Sequence, residues 1–366
     1  MKRIFFLLAA IIFLYSTKGD SQNKDSTASF KMSGYVDAYY AYFTDSVGTN
    51  NYQKFPVISP KSNVFGLNIA QFTGQYVSQK VRAIATIHFG DIPSSAWSPV
   101  LNIIQEANAG FRINNKLWVD AGLFKTHIGT EALLPKDNIA SSLSMITFYE
   151  PWWQAGVKLS FTPNDKFLLC LHVLNGYNTY VDNNKKKSVG ITFNYYFNNK
   201  GNISYYNLFG DESPESNKPS QIRILHNLVF TYQITPKLKT IIGADHITQA
   251  HSSIADSSKS ANVFSEILTL KNQLTNKFGM YVRGEFFSDK NGFLTGTFQD
   301  SKNIVTGYKS SAVTLGFEFK PMENAYIRLE GRNIMMNKDQ EIFHIANSNK
   351  NTNSRFETML NMGVWF

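Results

Sequence analysis

The residue types able to do acid–base, nucleophilic or metal chemistry are few and scattered. The seven histidines are His88, His127, His172, His226, His246, His251 and His344. None stands in a Ser-His motif or at a metal-ligating spacing such as His-x3-His. His246 and His251 are the nearest pair, and the alternating run that carries His246 ends between them. Cys170 is the one cysteine, so it has no internal disulfide partner, and no metal motif surrounds it. It reads as a small buried side chain. A hydrolytic site needs a nucleophile and a base within hydrogen-bond reach, and no such pair is legible. The expectation is therefore no catalytic residue, no metal site, no cofactor and no enzymatic activity. Asp182-Asn183-Asn184 and Asp289-Lys290-Asn291 offer oxygens to Ca²⁺, but Asx turns at strand ends are the favoured reading.

The patterned chemistry lies in charges that alternate with apolar residues. Ala325, Ile327, Leu329 and Gly331 share one face, with Tyr326, Arg328, Glu330 and Arg332 on the other. A period of two puts successive side chains on opposite faces of a strand. If such a strand crosses a membrane, a Lys or Arg facing lipid at the midplane costs roughly 2–4 kcal/mol, so the charged face must look into a lumen. The rule nominates Arg82, Glu106, Arg112, Asp120, Lys158, Arg283, Glu285, Glu318, Arg328, Glu330 and Arg332 as pore-lining, and turns Asp37, Arg355 and Glu357 inward as well. The two signs nearly balance. Ion pairs across the lumen and weak ion selectivity follow as expectations, with Arg283, Arg328 and Arg332 forming a local basic wall. Trp118 and Tyr326 would add aromatic faces to the lining.

The elements that must position these charges are strands. Alternating runs recur about 16 times from Gly34 to Phe366 (14–18 is the range the pattern allows). Short turns such as Ser78-Gln79-Lys80, Asn114-Asn115 and Thr235-Pro236-Lys237 alternate with long polar loops without a break. A soluble sandwich has no reason to sort its loops by parity. A transmembrane barrel does, with short periplasmic turns and longer extracellular loops. The predicted class is all-β: an antiparallel up-and-down transmembrane barrel. Four runs, the second, ninth, eleventh and twelfth, have ambiguous faces and receive no inward assignment. The last run places Phe356, Thr358, Leu360, Met362, Val364 and Phe366 on one face and ends in an aromatic, which resembles the signal read by outer-membrane assembly machinery.

Composition fits this class. Aromatic residues make up 14% of the chain, with 18 Tyr and 29 Phe, which suits two aromatic girdles. No apolar run after residue 15 reaches the roughly 20 residues of a spanning helix. Lys2-Arg3, the apolar stretch from Ile4 to Tyr15 and the small polar residues after it read as a secretory signal peptide over 1–19. A polar leader, 20–32, and a single barrel, 33–366, follow. The net charge of +9 is dispersed, without a basic helix or zinc-finger spacing, so nucleic acid is not an expected partner. Lys185-Lys186-Lys187 reads as a solvated loop tip.

Residues 118–187 carry a family likeness. Asp120-Ala121-Gly122-Leu123-Phe124, His127-Ile128-Gly129-Thr130-Glu131, Asp137-Asn138, Pro151 with Gly156-Val157-Lys158, and Asn175-Gly176-Tyr177 with Asp182-Asn183-Asn184 resemble the putative β-barrel porin-2 (OmpL-like) family of Gram-negative outer membranes. So does Arg283-Gly284-Glu285-Phe286-Phe287-Ser288-Asp289. Trp152-Trp153-Gln154 departs from the polar segment expected before the glycine. The resemblance implies an outer-membrane channel for passive diffusion of small hydrophilic solutes or ions. Its partners would be outer-membrane lipids, the barrel-assembly machinery and those solutes, with a homotrimer among the expected assemblies. The segment from Lys125 to Trp153 is too long for an ordinary connection and is expected to fold inward and narrow the lumen. The alternative is a closed structural barrel or a loop-based surface adhesin without transport.

Overall fold

The structure is a computed structural model that describes residues 28–366 except 49, 56–58, 183 and 217–218. The predicted signal peptide and most of the leader lie outside the described residues. The strands are β1 (Ser29–Phe43), β2 (Val64–Val77), β3 (Val81–Phe89), β4 (Ile104–Asn114), β5 (Leu117–Lys125), β6 (Trp153–Asn164), β7 (Phe167–Leu174), β8 (Ser188–Phe197), β9 (Gly201–Asp211), β10 (Ile222–Gln233), β11 (Leu238–Gln249), β12 (Ala261–Gln273) and β13 (Phe278–Ser288). The small pair β14 (Phe298–Gln299) and β15 (Val305–Thr306) follows, then β16 (Lys309–Phe319) and β17 (Ala325–Met336). A second small pair, β18 (Phe343–His344) and β19 (Asn351–Thr352), precedes β20 (Ser354–Trp365). The two small pairs belong to loops. The other 16 strands close one antiparallel barrel, each beside its neighbours in sequence.

Closure joins β1 to β20, with Tyr35 opposite Trp365 and Val36 opposite Val364. Beyond the ladder, Gly34 and Phe366 exchange both backbone hydrogen bonds at 3.1 Å. The Phe366 ring lies where a β-carbon on residue 34 would stand, so glycine lets the ring fold over that seam. The first strand starts at Ser29, inside the stretch 20–32 expected as leader.

The two faces of each strand differ as alternation requires. On β16, Val313, Leu315 and Phe317 are 45–53% exposed while Thr314 and Glu318 are at most 2% exposed. An apolar exposed face and a polar buried face invert a soluble protein, and match a wall with lipid outside. The lumen is packed with side chains and loops rather than simply wet. At the loop end, Leu225, Ile247, Val263, Phe287 and Ile334 point inward and pack with Phe55, Tyr177 and Phe343 of the loops. A second apolar cluster joins Tyr35, Ile69 and Tyr326 of the wall to Ile92, Trp97, Leu134, Leu143, Trp152 and Trp153.

Candidate functional site, a loop docked across the lumen

A loop inside a barrel carries peptide groups that no strand pairs. Each must find a partner or lose the equivalent of a hydrogen bond. The segment between β5 and β6 crosses to the far wall, and the charged ladder there supplies those partners. Glu330 accepts from the backbone N–H of Ser141 at 2.7 Å and of Ser142 at 3.0 Å. Glu285 accepts from the N–H of Met145 at 2.8 Å. Arg328 donates to the carbonyls of Pro135 at 2.8 Å and Asn138 at 2.9 Å. Arg283 donates to the carbonyl of Ser142 at 2.6 Å and pairs with Glu131, itself a loop residue, at 2.6 Å.

The loop also has internal structure. Its short helix α2 (Met145–Tyr149) is capped by Ser144, whose hydroxyl accepts from Thr147 N–H at 3.4 Å. Trp152 donates its indole N–H to the carbonyl of Thr147 at 2.6 Å and is buried in the second apolar cluster. The departure at Trp152-Trp153 therefore has a packing reason: these rings anchor the loop as it returns to the wall. His127 bridges Gln154 at 2.8 Å and the carbonyl of Asn207 at 3.0 Å, and stacks on His172 with centroids 4.0 Å apart. Among the described residues no cluster of His, Cys, Asp and Glu could hold a metal ion.

Two glycines receive the loop. His127 lies against Gly190 on β8, and Thr130 against Gly243 on β11, each in the space a β-carbon would fill. Asn227 completes the second seat by donating to Thr130 Oγ1 at 3.2 Å. We expect Gly243→Val to lift this end of the loop, giving larger and noisier single-channel currents in planar bilayers. Traces like those of the unaltered protein would show that the seat is dispensable.

The sequence nominated eleven lining residues, and the structure sorts them by contact. Arg283, Glu285, Glu330 and Arg332 face inward but lie beneath the loop, with Arg283 and Arg332 fully buried. Arg332 pairs with Glu285 at 2.7 Å. Arg328 pairs with Glu318 at 2.7 Å, and both border an open vestibule at the short-turn end. Arg82, Glu106, Asp120 and Lys158 line another cavity, of about 420 Å³, with Phe124, Lys125 and His172. There Arg82 pairs with Asp120 at 2.5 Å, Lys158 reaches Asp120 at 3.9 Å, and Lys125 reaches Glu106 at 3.2 Å. Arg112 lies near the turn, its guanidinium over Trp118 at 5.8 Å, while Arg82 stacks on the same ring at 4.5 Å. Of the further inward residues, Arg355 pairs with Glu357 at 2.5 Å, and Asp37 accepts from Asn68 and from Tyr326 at 2.5 Å.

Sequence reasoning missed a second inward segment. The loop after β3 holds α1 (Asp91–Ala96) and Trp97, whose indole N–H donates to the carbonyl of Ile104 at 3.0 Å and whose ring meets Trp153 at 5.1 Å. Asp91 accepts from Tyr39 at 2.6 Å and pairs with Lys61 at 3.0 Å, which holds the Lys61 ammonium above its ordinary range. The two prolines and Trp97 in that loop were the available signal.

The model of the family described as putative beta-barrel porin-2, OmpL-like, matches residues 29–366. Among solved structures, the barrel is similar to the anion-selective porin from Comamonas acidovorans, with 9% identity, a TM-score of 0.64 and coverage of 93% of this chain and 100% of that one. It is also similar to the outer-membrane channel DcaP of Acinetobacter baumannii, at 11% identity, TM-score 0.60 and coverage of 95% and 100%. The trimer form of OmpT, an outer-membrane protein of Vibrio cholerae, is similar at 10% identity, TM-score 0.56 and coverage of 93% and 100%. At such identities the likeness is one of fold. Among curated protein sequences, none is similar enough to give a match.

Proposed function

The chain belongs to the putative beta-barrel porin-2, OmpL-like family, as a porin-like channel of the outer membrane, and we propose that small hydrophilic solutes or ions cross it passively beside the docked loop. The observation that carries this reading is the loop itself. Its Pro135, Asn138, Ser141, Ser142 and Met145 peptide groups are bonded to Arg328, Glu330, Arg283 and Glu285, so the constriction is a fixed part of the wall. Open space is left against β2–β8, where Arg82, Glu106, Asp120 and Lys158 stand in a cavity, and Arg112 shares the Trp118 ring with Arg82. These five are the proposed pore lining. Arg283, Glu285, Glu330 and Arg332 act on the pore by holding the loop, while Glu318 and Arg328 do both.

Catalysis is no part of this reading, because the family and fold are those of a channel. The partners we propose are outer-membrane lipids against the apolar outer face, and the assembly machinery at β20, the strand that closes the barrel onto β1. A homotrimer is the proposed assembly, supported by the trimer form of one similar porin. The apolar cluster at the loop end favours one competing reading, a barrel closed at rest. Planar-bilayer recording of the purified, folded protein separates the two: discrete steps of conductance are expected, and a folded barrel without them would establish closure. Liposome swelling with sugars of graded size then gives the cut-off.

A further inference from the structure

The short-turn end carries a pattern that neither the fold nor the loop explains. Seven turns join barrel strands there, and each holds a lysine: Lys80, Lys116, Lys166, Lys200, Lys237, Lys277 and Lys320. In five of them the side-chain oxygen two residues earlier (Ser78, Asn114, Asn164, Thr235 or Thr275) accepts from the lysine's own backbone N–H at 2.9–3.3 Å. That turn chemistry fixes the first residue and leaves the third free. Its repeated choice as lysine is not a demand of the turn.

The lysines also share a parity. Lys166 is in step with Cys170 and His172 of β7, Lys237 with Asp245 and Ile247 of β11, and Lys320 with Thr314 and Glu318 of β16, all buried inner-face residues. Each of the three thus continues the inner face of its strand to the mouth. At the opposite end several lysines are paired, Lys185 with Glu215, Lys186 with Asp211, Lys187 with Asp182 and Lys302 with Asp339, while others such as Lys290 and Lys338 are in no ion pair among the described residues. None of the seven turn lysines has an ion-pair partner among the described residues.

On one side this ring deepens into a vestibule of about 400 Å³ lined by Lys136, Lys237, Lys239, Lys271, Lys320 and Arg328. Glu318 already serves Lys271 and Arg328, and Asp137 serves Lys136 at 2.8 Å. Among the described residues, Lys237, Lys239 and Lys320 remain without a carboxylate partner. Like charges gathered in a concave, low-dielectric wall concentrate counter-ions, and rings of Lys or Arg are how pores admit anions.

We propose that this vestibule at the periplasmic mouth is a binding station for small multivalent anions bearing phosphate or carboxylate groups, in transit through the channel. The inference rests on the channel reading, which supplies the transit. The site itself is tested without it. Citrate and pyrophosphate are titrated calorimetrically onto the full barrel in phosphatidylcholine nanodiscs at low salt. Saturable binding is expected, weakened on the order of tenfold by K237Q/K239Q/K320Q. The triple Lys→Arg variant should retain it, and K185Q/K186Q/K187Q should leave it unchanged. Absent binding, or binding indifferent to the first triple, would overturn the site. Phosphatidylglycerol in the nanodisc should not compete, since the vestibule lies inside the wall; competition would overturn the luminal placement in favour of lipid headgroups. Reversal potentials in a KCl gradient should then show anion preference that the Gln triple abolishes. Binding without any conductance would keep the station and sink the channel.

Discussion

Deleting Glu131 to Ser144 is expected to raise single-channel conductance by roughly twofold or more, because a barrel of 16 strands leaves an aqueous channel when nothing fills it. The deleted residues include the loop's contacts to Glu330, Arg328 and Arg283 on the far wall. The barrel should survive the loss. Its sixteen strands pair only with one another, and no ladder passes through the loop. The charges uncovered by the deletion would not be stranded either. Arg328 keeps Glu318, Arg332 keeps Glu285, and water reaches the rest, so the penalty of an unpaired buried charge does not arise. Conductance is measured on a deletion variant whose barrel is verified by heat-dependent mobility in gels. A folded variant with unaltered conductance would show that the loop lies outside the conducting path.

The sequence made the wall legible and the filling largely not, for a physical reason. Alternation survives any lumen content, because lipid alone dictates one face. Ala325 to Arg332 could thus be oriented without knowing what Arg328 and Glu330 touch. The parity of turns and loops was equally readable, since it follows from strands crossing a slab. What the charges bond to was not. Near-balanced signs suggested ion pairs across open space, and several pairs exist, such as Arg82 with Asp120. Yet Glu330 and Arg328 spend most of their bonds on loop peptide groups, which carry no signature in composition. The apolar cluster at the loop end was missed because Leu225, Ile247 and Val263 violate the polar-inside rule. On β12 the outer face carries Asn262 and Glu266 while Val263 and Ile267 point inward, and on β11 Ile247 shares the inner face with Asp245, so neither strand sorts its faces by polarity. The buried Asp245 on β11 escaped for the same reason. The lysine of each short turn was visible from the start, but its meaning needed the parity of the strand behind it.

Replacing Arg283 with methionine should undock the loop more completely than any other single change. Arg283 is fully buried and holds five acceptors: Glu131 at 2.6 Å, the Ser142 carbonyl at 2.6 Å, Ser142 Oγ at 2.8 Å, Thr314 Oγ1 at 3.2 Å and Glu285 at 3.4 Å. Removing one partner of a buried ion pair leaves the other uncompensated, at a cost of about 3–5 kcal/mol. Here the stranded group is Glu131, since Glu285 still has Arg332. The loop can escape that cost by leaving the wall, which hydrates Glu131. The expected result is faster reaction of a cysteine placed at Ala140, otherwise 1% exposed, with a small charged thiol reagent in a Cys170→Ser background. Adding Glu131→Gln removes the stranded charge. The double variant should therefore label more slowly than Arg283→Met alone, by the coupling that a double-mutant cycle isolates. Equal labelling of the two variants would mean that the Ser142 bonds hold the loop and the Glu131 pair contributes nothing. Arg283→Lys keeps the charge but loses the fork that reaches the Ser142 carbonyl and hydroxyl together. It should label at an intermediate rate, which apportions the latch between charge and geometry.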